Sequence, residues 1–167
     1  MVKTYHMRRG DKEIKDKNKL ERILKETNFV TLALAMGNEP YVVSLSHSYD
    51  EEAGCLYFHC ADEGTKLDYM RGNPVVWGQA LIDHGYHAGQ CSHLYVSANF
   101  RGRIEFIEDL DGKKKALGHM ILHQEKDPEA LLTQLKAFEA GSSLDKTIVG
   151  RIVIEELKGK KSAEVSF

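Results

Sequence analysis

A lysine placed where an extended run turns into a helical one is the first feature of this chain that could do chemistry. His59-Cys60-Ala61-Asp62-Glu63-Gly64-Thr65-Lys66 leaves a β-rich run, Cys55 to Cys60, and opens a short helix that reaches Arg71 before Pro74 stops it. A helix start offers unpaired backbone N–H groups and the positive end of a dipole, and Lys66 adds a point charge, so the junction suits a phosphate. A solvated lysine at an ordinary helix start accounts for the same residues. His59 fits either a ligand contact or a hydrogen-bonded barrel histidine.

Two further groups carry polar chemistry. From Leu94 the even positions Leu94, Val96, Ala98, Phe100, Ile104 and Phe106 are apolar, while Tyr95, Ser97, Asn99, Arg101, Arg103 and Glu105 alternate with them. A hydroxyl such as Ser97 near a cation binds phosphate oxygens, and a solvent-facing strand explains the same alternation. His84, His87 and His93, with Asp83 and Cys91 between them, are types that bind first-row metals. Their spacing matches no familiar zinc module and no Cys-x-x-Cys pair supports them, so a polar loop without a metal is expected. His119 and His123 lie four apart without the glutamate of a metalloprotease helix. Glycine-rich dinucleotide fingerprints, P-loops and nucleophile elbows are missing as well.

The elements that must position these residues follow from periodicity. Asn18 and Glu21 have capping-box spacing ahead of Leu20, Ile23 and Leu24, which predicts a helix to about Thr27. Phe29 to Met36 reads as a strand, Gly37-Asn38-Glu39-Pro40 as a turn, and Tyr41 to Tyr49 as a second strand. That second strand sets Tyr41, Val43, Leu45, His47 and Tyr49 against Val42, Ser44, Ser46 and Ser48. Strands are also predicted at Cys55 to Cys60, Val75 to Ile82, from Leu94 onward, and at Thr147 to Leu157, with a loop from Asp83 to Ser92. Helical spacing covers Lys114 to His123 and Glu129 to Phe138, the latter led by Asp127-Pro128 as N-cap and first turn. The expected class is mainly β with peripheral helices, the strands mostly antiparallel and barrel-forming.

Composition bounds the rest. With 167 residues, 42% of them hydrophobic, one domain over 1–167 is expected. Charged residues are 29% of the chain but net only -2, which argues against nucleic acid or anionic lipid as partner. Three cysteines, Cys55, Cys60 and Cys91, make an odd count that fits a reducing compartment better than a disulfide framework. Acidic residues follow Arg8-Arg9 in place of an apolar signal region, and no window approaches the ~18 apolar residues of a membrane span, so a cytoplasmic protein is expected.

Several segments, taken in order, resemble one family. They are Met7-Arg8-Arg9, Pro40-Tyr41-Val42-Val43-Ser44-Leu45, Tyr57-Phe58-His59-Cys60-Ala61 with Gly64 and Lys66, Asn73-Pro74, Cys91, Tyr95-x-Ser97 with Gly102, Glu108-Asp109, and Gly159-Lys160-Lys161. Their order and spacing are similar to the nitroimidazole-resistance branch of the pyridoxamine 5′-phosphate oxidase-like flavoproteins. The resemblance implies an FMN-binding split β-barrel of about six antiparallel strands that works as a homodimer with FMN in grooves between the subunits. It implies an oxidoreductase using a small-molecule electron donor and acceptor, nitroaromatics among the acceptors. Carried over by position, Lys66 and Ser97 would bind the phosphate, His59 and Ala61 would line the groove, and Val43-Ser44 would pass the isoalloxazine ring. Ser44 stands where relatives usually have proline and His47 where they usually have an aromatic, which changes the surface expected over the ring. The flavin carries the electron chemistry, so no catalytic acid or base is assigned, although His47 and His59 would be proton donors if they face the ring. Two other functions stay open: a haem-binding barrel with His59 or His84 as axial ligand, and a flavin-binding protein without turnover.

Overall fold

The structure, a computed structural model, describes residues 7–139, 141 and 143–167. The first six residues of the polar leading segment lie outside that range. Its elements are β1 (Glu13–Ile14), α1 (Lys17–Glu26), β2 (Phe29–Met36), β3 (Glu39–Ser46), β4 (Ser48–Asp50), β5 (Cys55–Cys60), α2 (Thr65–Gly72), β6 (Val75–His87), β7 (Ser92–Ile107), α3 (Leu110–Gln124), α4 (Glu129–Ala137) and β8 (Ile148–Lys161). The eight strands form one antiparallel sheet in the order β3-β2-β6-β7-β8-β5-β4, with β1 added beside β8. The fold is therefore mainly antiparallel β with peripheral helices, as expected, and two of the strands, β1 and β4, are very short.

The strand order shows why this sheet is a split barrel. β3 and β4 stand at opposite ends of the order, yet only His47 separates them along the chain. The sheet must curl until its two edges meet at that residue. The β4–β5 register pairs Ser48 with Tyr57 and Asp50 with Cys55, and carried two residues on it sets Ser46 beside His59. That ladder is not continued in hydrogen bonds, so the barrel stays open there. Alternate residues fill the interior: Leu32, Phe58, Val76, Phe100 and Ile152 are almost completely buried, and α1 closes one end with Ile23 and Leu24.

Local physics differs from the sequence reading at several points. The N-cap of α1 is Asp16, whose carboxylate accepts from Asn18 N–H at 2.9 Å, and the expected capping-box glutamate, Glu21, is instead buried and accepts from Tyr49 OH at 2.8 Å. Tyr41 to Tyr49 is interrupted at His47. The predicted loop from Asp83 to Ser92 is mostly hairpin: β6 runs on to His87 and pairs with β7 through a register shift between Asp83 and Tyr86. Helix α4 has Pro128 at its N-cap position and no side-chain cap, so Asp127 does not cap it. Among the described residues, no helix is long and apolar enough to cross a membrane.

Candidate functional site

Lys66 sits in the first turn of α2, half-buried, and has no hydrogen-bond or ion-pair partner among the described residues. The start of α2 differs from those of α1 and α3. Asp16 and Asp109 cap the latter two with carboxylates, whereas Gly64, at φ +120°, leaves α2 without a side-chain cap. Helix N–H groups that no side chain satisfies, beside an unpaired ammonium, are the local chemistry of an anion site. Asp68, also in the first turn, works against it, as do the exposed Asp62 and Glu63 just ahead of Gly64. Cys60, just ahead of this loop, is not an activated nucleophile: burial pushes its thiol up, and Lys66 and Arg71 only partly oppose that.

His59 is exposed on β5 and lines a groove of about 390 Å³ together with Ser46, facing Met120, Ile121 and Gln124 of α3 and Leu131 of α4. The groove lies where the barrel splits. Ser44 is exposed and its hydroxyl lies 3.2 Å from that of Thr31, while Val43 on the opposite face packs toward the core. Ala61 is exposed in the loop between β5 and α2.

Ser97 is elsewhere. It is buried, donates to the carbonyl of Lys160 at a long 3.3 Å, and lines a second groove of about 400 Å³ with Lys160, Tyr95, Leu81 and Gln79. The pairings Ser46–Phe29 and Leu81–Ser97, joined by carrying the Thr31–Gln79 register two residues on, put Ser97 three strands from Ser46. At roughly 4.8 Å per strand that is about 14 Å across the sheet. Neither groove contains both Lys66 and Ser97. Within one chain the two phosphate candidates are not brought together.

Between the grooves the outer face of β3, β2, β6 and β7 is unusual. Phe29, Val42, Trp77 and Leu81 are exposed there, the most open being Val42 at 65%. Beside them run two polar pairs, Thr31 with Ser44 and Gln79 with Asn99, the latter bonded at 3.0 Å. The sequence singles out Ser44, Ser97 and Asn99 on this face but not the apolar Phe29, Trp77 and Leu81 between them, although β6 carries a signal. Val76, Trp77, Ala80, Leu81 and Ile82 make both parities of that strand apolar, which is the pattern of a strand covered on both sides. Lys160 was equally missed as a site residue, because β8 was expected to end at Leu157 and instead continues to Lys161.

His47 does not reach either groove. It is 1% exposed, and its Nε2–H donates to the carbonyl of Leu24 at 2.9 Å, leaving Nδ1 without a partner. Its ring lies 5.8 Å from that of His123, whose Nε2–H donates to the carbonyl of Thr27 at 3.1 Å. Burial, with His123 adding to it and the Leu24 bond opposing, pushes His47 down to about 4. It is a neutral strut between α1, the β3–β4 break and α3, and the carbonyl of the same residue holds Gln124 at 2.9 Å. His84, His87 and His93 belong to the β6–β7 hairpin, and among the described residues no three His, Cys, Asp or Glu side chains group as metal ligands. Cys91, a free thiol with φ 47°, is exposed in the hairpin turn and lines neither groove.

Comparison with known proteins agrees with this architecture. A 5-nitroimidazole antibiotic resistance protein, provisionally so described, from Bacteroides thetaiotaomicron superposes with a TM-score of 0.72 at 26% identity, over 89% of this chain and 85% of that one. An FAD-binding protein from Mesorhizobium loti gives 0.60 at 26% identity, over 88% and 95%. The flavocytochrome Anf3 from Azotobacter vinelandii shares the fold, with a TM-score of 0.75 at 16% identity over 95% and 73%. No curated protein is significantly similar in sequence. The profile of the pyridoxamine 5′-phosphate oxidase family matches residues 16–161, a span that includes every strand of the barrel except the two-residue β1, so the chain belongs to that family.

Proposed function

We propose that the protein is an FMN-dependent oxidoreductase, a single-domain cytoplasmic homodimer that takes electrons from a small-molecule donor and passes them to a small acceptor such as a nitroaromatic. The observation that carries this reading is the outer sheet face. It exposes Phe29, Val42, Trp77 and Leu81 and lies between the groove of Ser97 and Lys160 and the groove of His59 on β5, the strand that leads into the Lys66 helix start. A second copy covering that face would bury the apolar residues and bring Ser97 and Lys160 of one chain toward Lys66 of the other. The chain's residues fit a flavin monophosphate: an uncapped helix start with an unpaired lysine for the phosphate, and hydroxyl and amide pairs for the polar edge of a ring. When bound, the flavin supplies the hydride and electron chemistry. The protein's part is to hold the phosphate at Lys66 and Thr65, place the ring near Ser44, Ala61 and His59, and keep water out by pairing two chains.

A haem-binding reading is favoured by one observation, the exposed His59 in a groove walled by Leu117, Met120, Ile121 and Leu131. The flavocytochrome among the structural neighbours supports it by description alone. The absorption spectrum and the mass of the released cofactor decide between them. The proposal expects a yellow protein that bleaches on reduction, releases FMN, and oxidises a nicotinamide donor when a nitroaromatic is present. A Soret band overturns it in favour of haem, released FAD corrects the cofactor, and bound FMN without turnover with any donor leaves a flavin carrier.

A further inference from the structure

We propose that the groove between α3 and α4 is a second binding site, for one molecule of a long-chain carboxylate. The groove measures about 320 Å³, near the lower end of the roughly 300–1,000 Å³ usual for small-molecule sites. Its walls are leucines: Leu132 and Leu135 from α4, and Leu122 from α3, which lines the groove while 62% exposed. Gly118 makes the room. A Cβ there would stand 3.6 Å from Leu135 and 3.9 Å from Leu132, ordinary contacts that leave the space beyond open.

Charge selects the occupant. Lys114, Lys115 and Lys136 line the groove and no acidic residue does. The Lys114 ammonium already donates to the carbonyl of Lys136 at 3.1 Å and ties the two helices together at that end. Lys115 and Lys136 have no ion-pair or hydrogen-bond partner for their side chains among the described residues. An apolar channel with two unpaired ammonium groups complements a hydrocarbon chain carrying one negative head. The nearest helix end is the C-terminus of α4, whose dipole disfavours dense negative charge, so a monovalent carboxylate fits better than a phosphate. A space of this size holds one chain and not the row of anchors that a helical peptide inserts.

Calorimetric titration of the cofactor-loaded full chain with octanoate, decanoate and decanol tests this. One decanoate should bind per chain, each added methylene should tighten binding by about four-fold, and decanol should bind about ten-fold more weakly than decanoate. Replacing both Lys115 and Lys136 with alanine should erase the preference for carboxylate over alcohol. Gly118→Leu should fill the groove and abolish binding of both. Leu122→Asp, at an exposed position that should not disturb folding, should weaken decanoate much more than decanol, because both lose one apolar contact and only decanoate is repelled. Decanoate binding no better than decanol, binding that does not saturate, or binding indifferent to both Gly118→Leu and Leu122→Asp would overturn the site. Capture of an acidic peptide in place of decanoate would overturn it too.

Discussion

Replacing Lys66 with methionine keeps most of the aliphatic stem and removes the charge, so its effect reports on the phosphate alone. A charge-assisted hydrogen bond is worth roughly 1.5–3 kcal/mol, and FMN affinity should fall about ten- to a hundred-fold while riboflavin, which lacks the phosphate, is nearly unaffected. Titration of both ligands into both proteins checks this, and equal losses for the two would remove Lys66 from the site. His47 supports a different kind of prediction. Its folded pKa of about 4 lies below the ordinary 6.5, so in this window the unfolded chain binds more protons than the folded one. Stability contributed by neutral His47 is complete above pH 6.5 and is lost as pH falls toward 4, on the order of 3 kcal/mol in all. In urea melts across that range His47→Phe should lie flatter with pH than the parent. Parallel curves would mean that another group carries the acid response.

The elements hold together through close approaches that a single methyl group would disturb. Gly150 on β8 faces Phe58 on β5 so closely that a Cβ would lie 2.5 Å from the ring, and the ring, at 1% exposure, has no room to retreat. Gly150→Ala should therefore cost about 1–3 kcal/mol by overpacking, and Phe58→Leu in the same chain should recover part of it. Denaturant midpoints of the two single variants and the double variant measure the coupling. Helix α3, which walls the His59 groove, depends on the split itself. His119 Nδ1 lies 2.9 Å from Ser48 Oγ, and Gln124 donates to the carbonyls of Asn28 and His47 at 2.9 Å each. The His47 carbonyl is a backbone group at the break between β3 and β4, and Gln124 satisfies it.

At the scale of the whole molecule the outer sheet face is where the proposed dimer is tested. Trp77→Glu combined with Phe29→Lys places opposite charges on a face that is already solvent-exposed in one chain, so the barrel should still fold. In a dimer the same pair would be buried, and light scattering should then report the 18.9 kDa chain where the parent gives twice that mass. On the proposed reading, in which two copies share the phosphate site, flavin affinity should fall along with it. A parent that is already monomeric at micromolar concentration, or a monomeric variant with full flavin affinity, would refute the shared site.

Much of this was legible from local pattern. Phe29–Met36 and Cys55–Cys60 have the boundaries that alternation and turn residues predicted, because each is flanked by residues that end a strand on their own account: Gly37 at φ +60°, and the turn from Glu51 to Gly54. The Lys66 helix start and the inward set Tyr41, Val43, Leu45, His47 and Tyr49 were equally readable, since side-chain period and helix polarity are properties of a few adjacent residues. What could not be read depends on partners distant in the chain. The segment after Asp83 has loop-like composition, and Tyr86 and His87 became strand because His93 and Ser92 lie across from them, while Ser162, far along the chain, accepts from Tyr95 N–H and donates to the carbonyl of His93. His47 looked like one more residue in an alternating strand. Closing the barrel turned it into the break: the chain pairs with β2 up to Ser46 and with β5 from Ser48, and the His47 side chain between them is buried against the Leu24 carbonyl. The separation of Ser97 from Lys66 likewise comes from strand order and stagger, which no local pattern encodes.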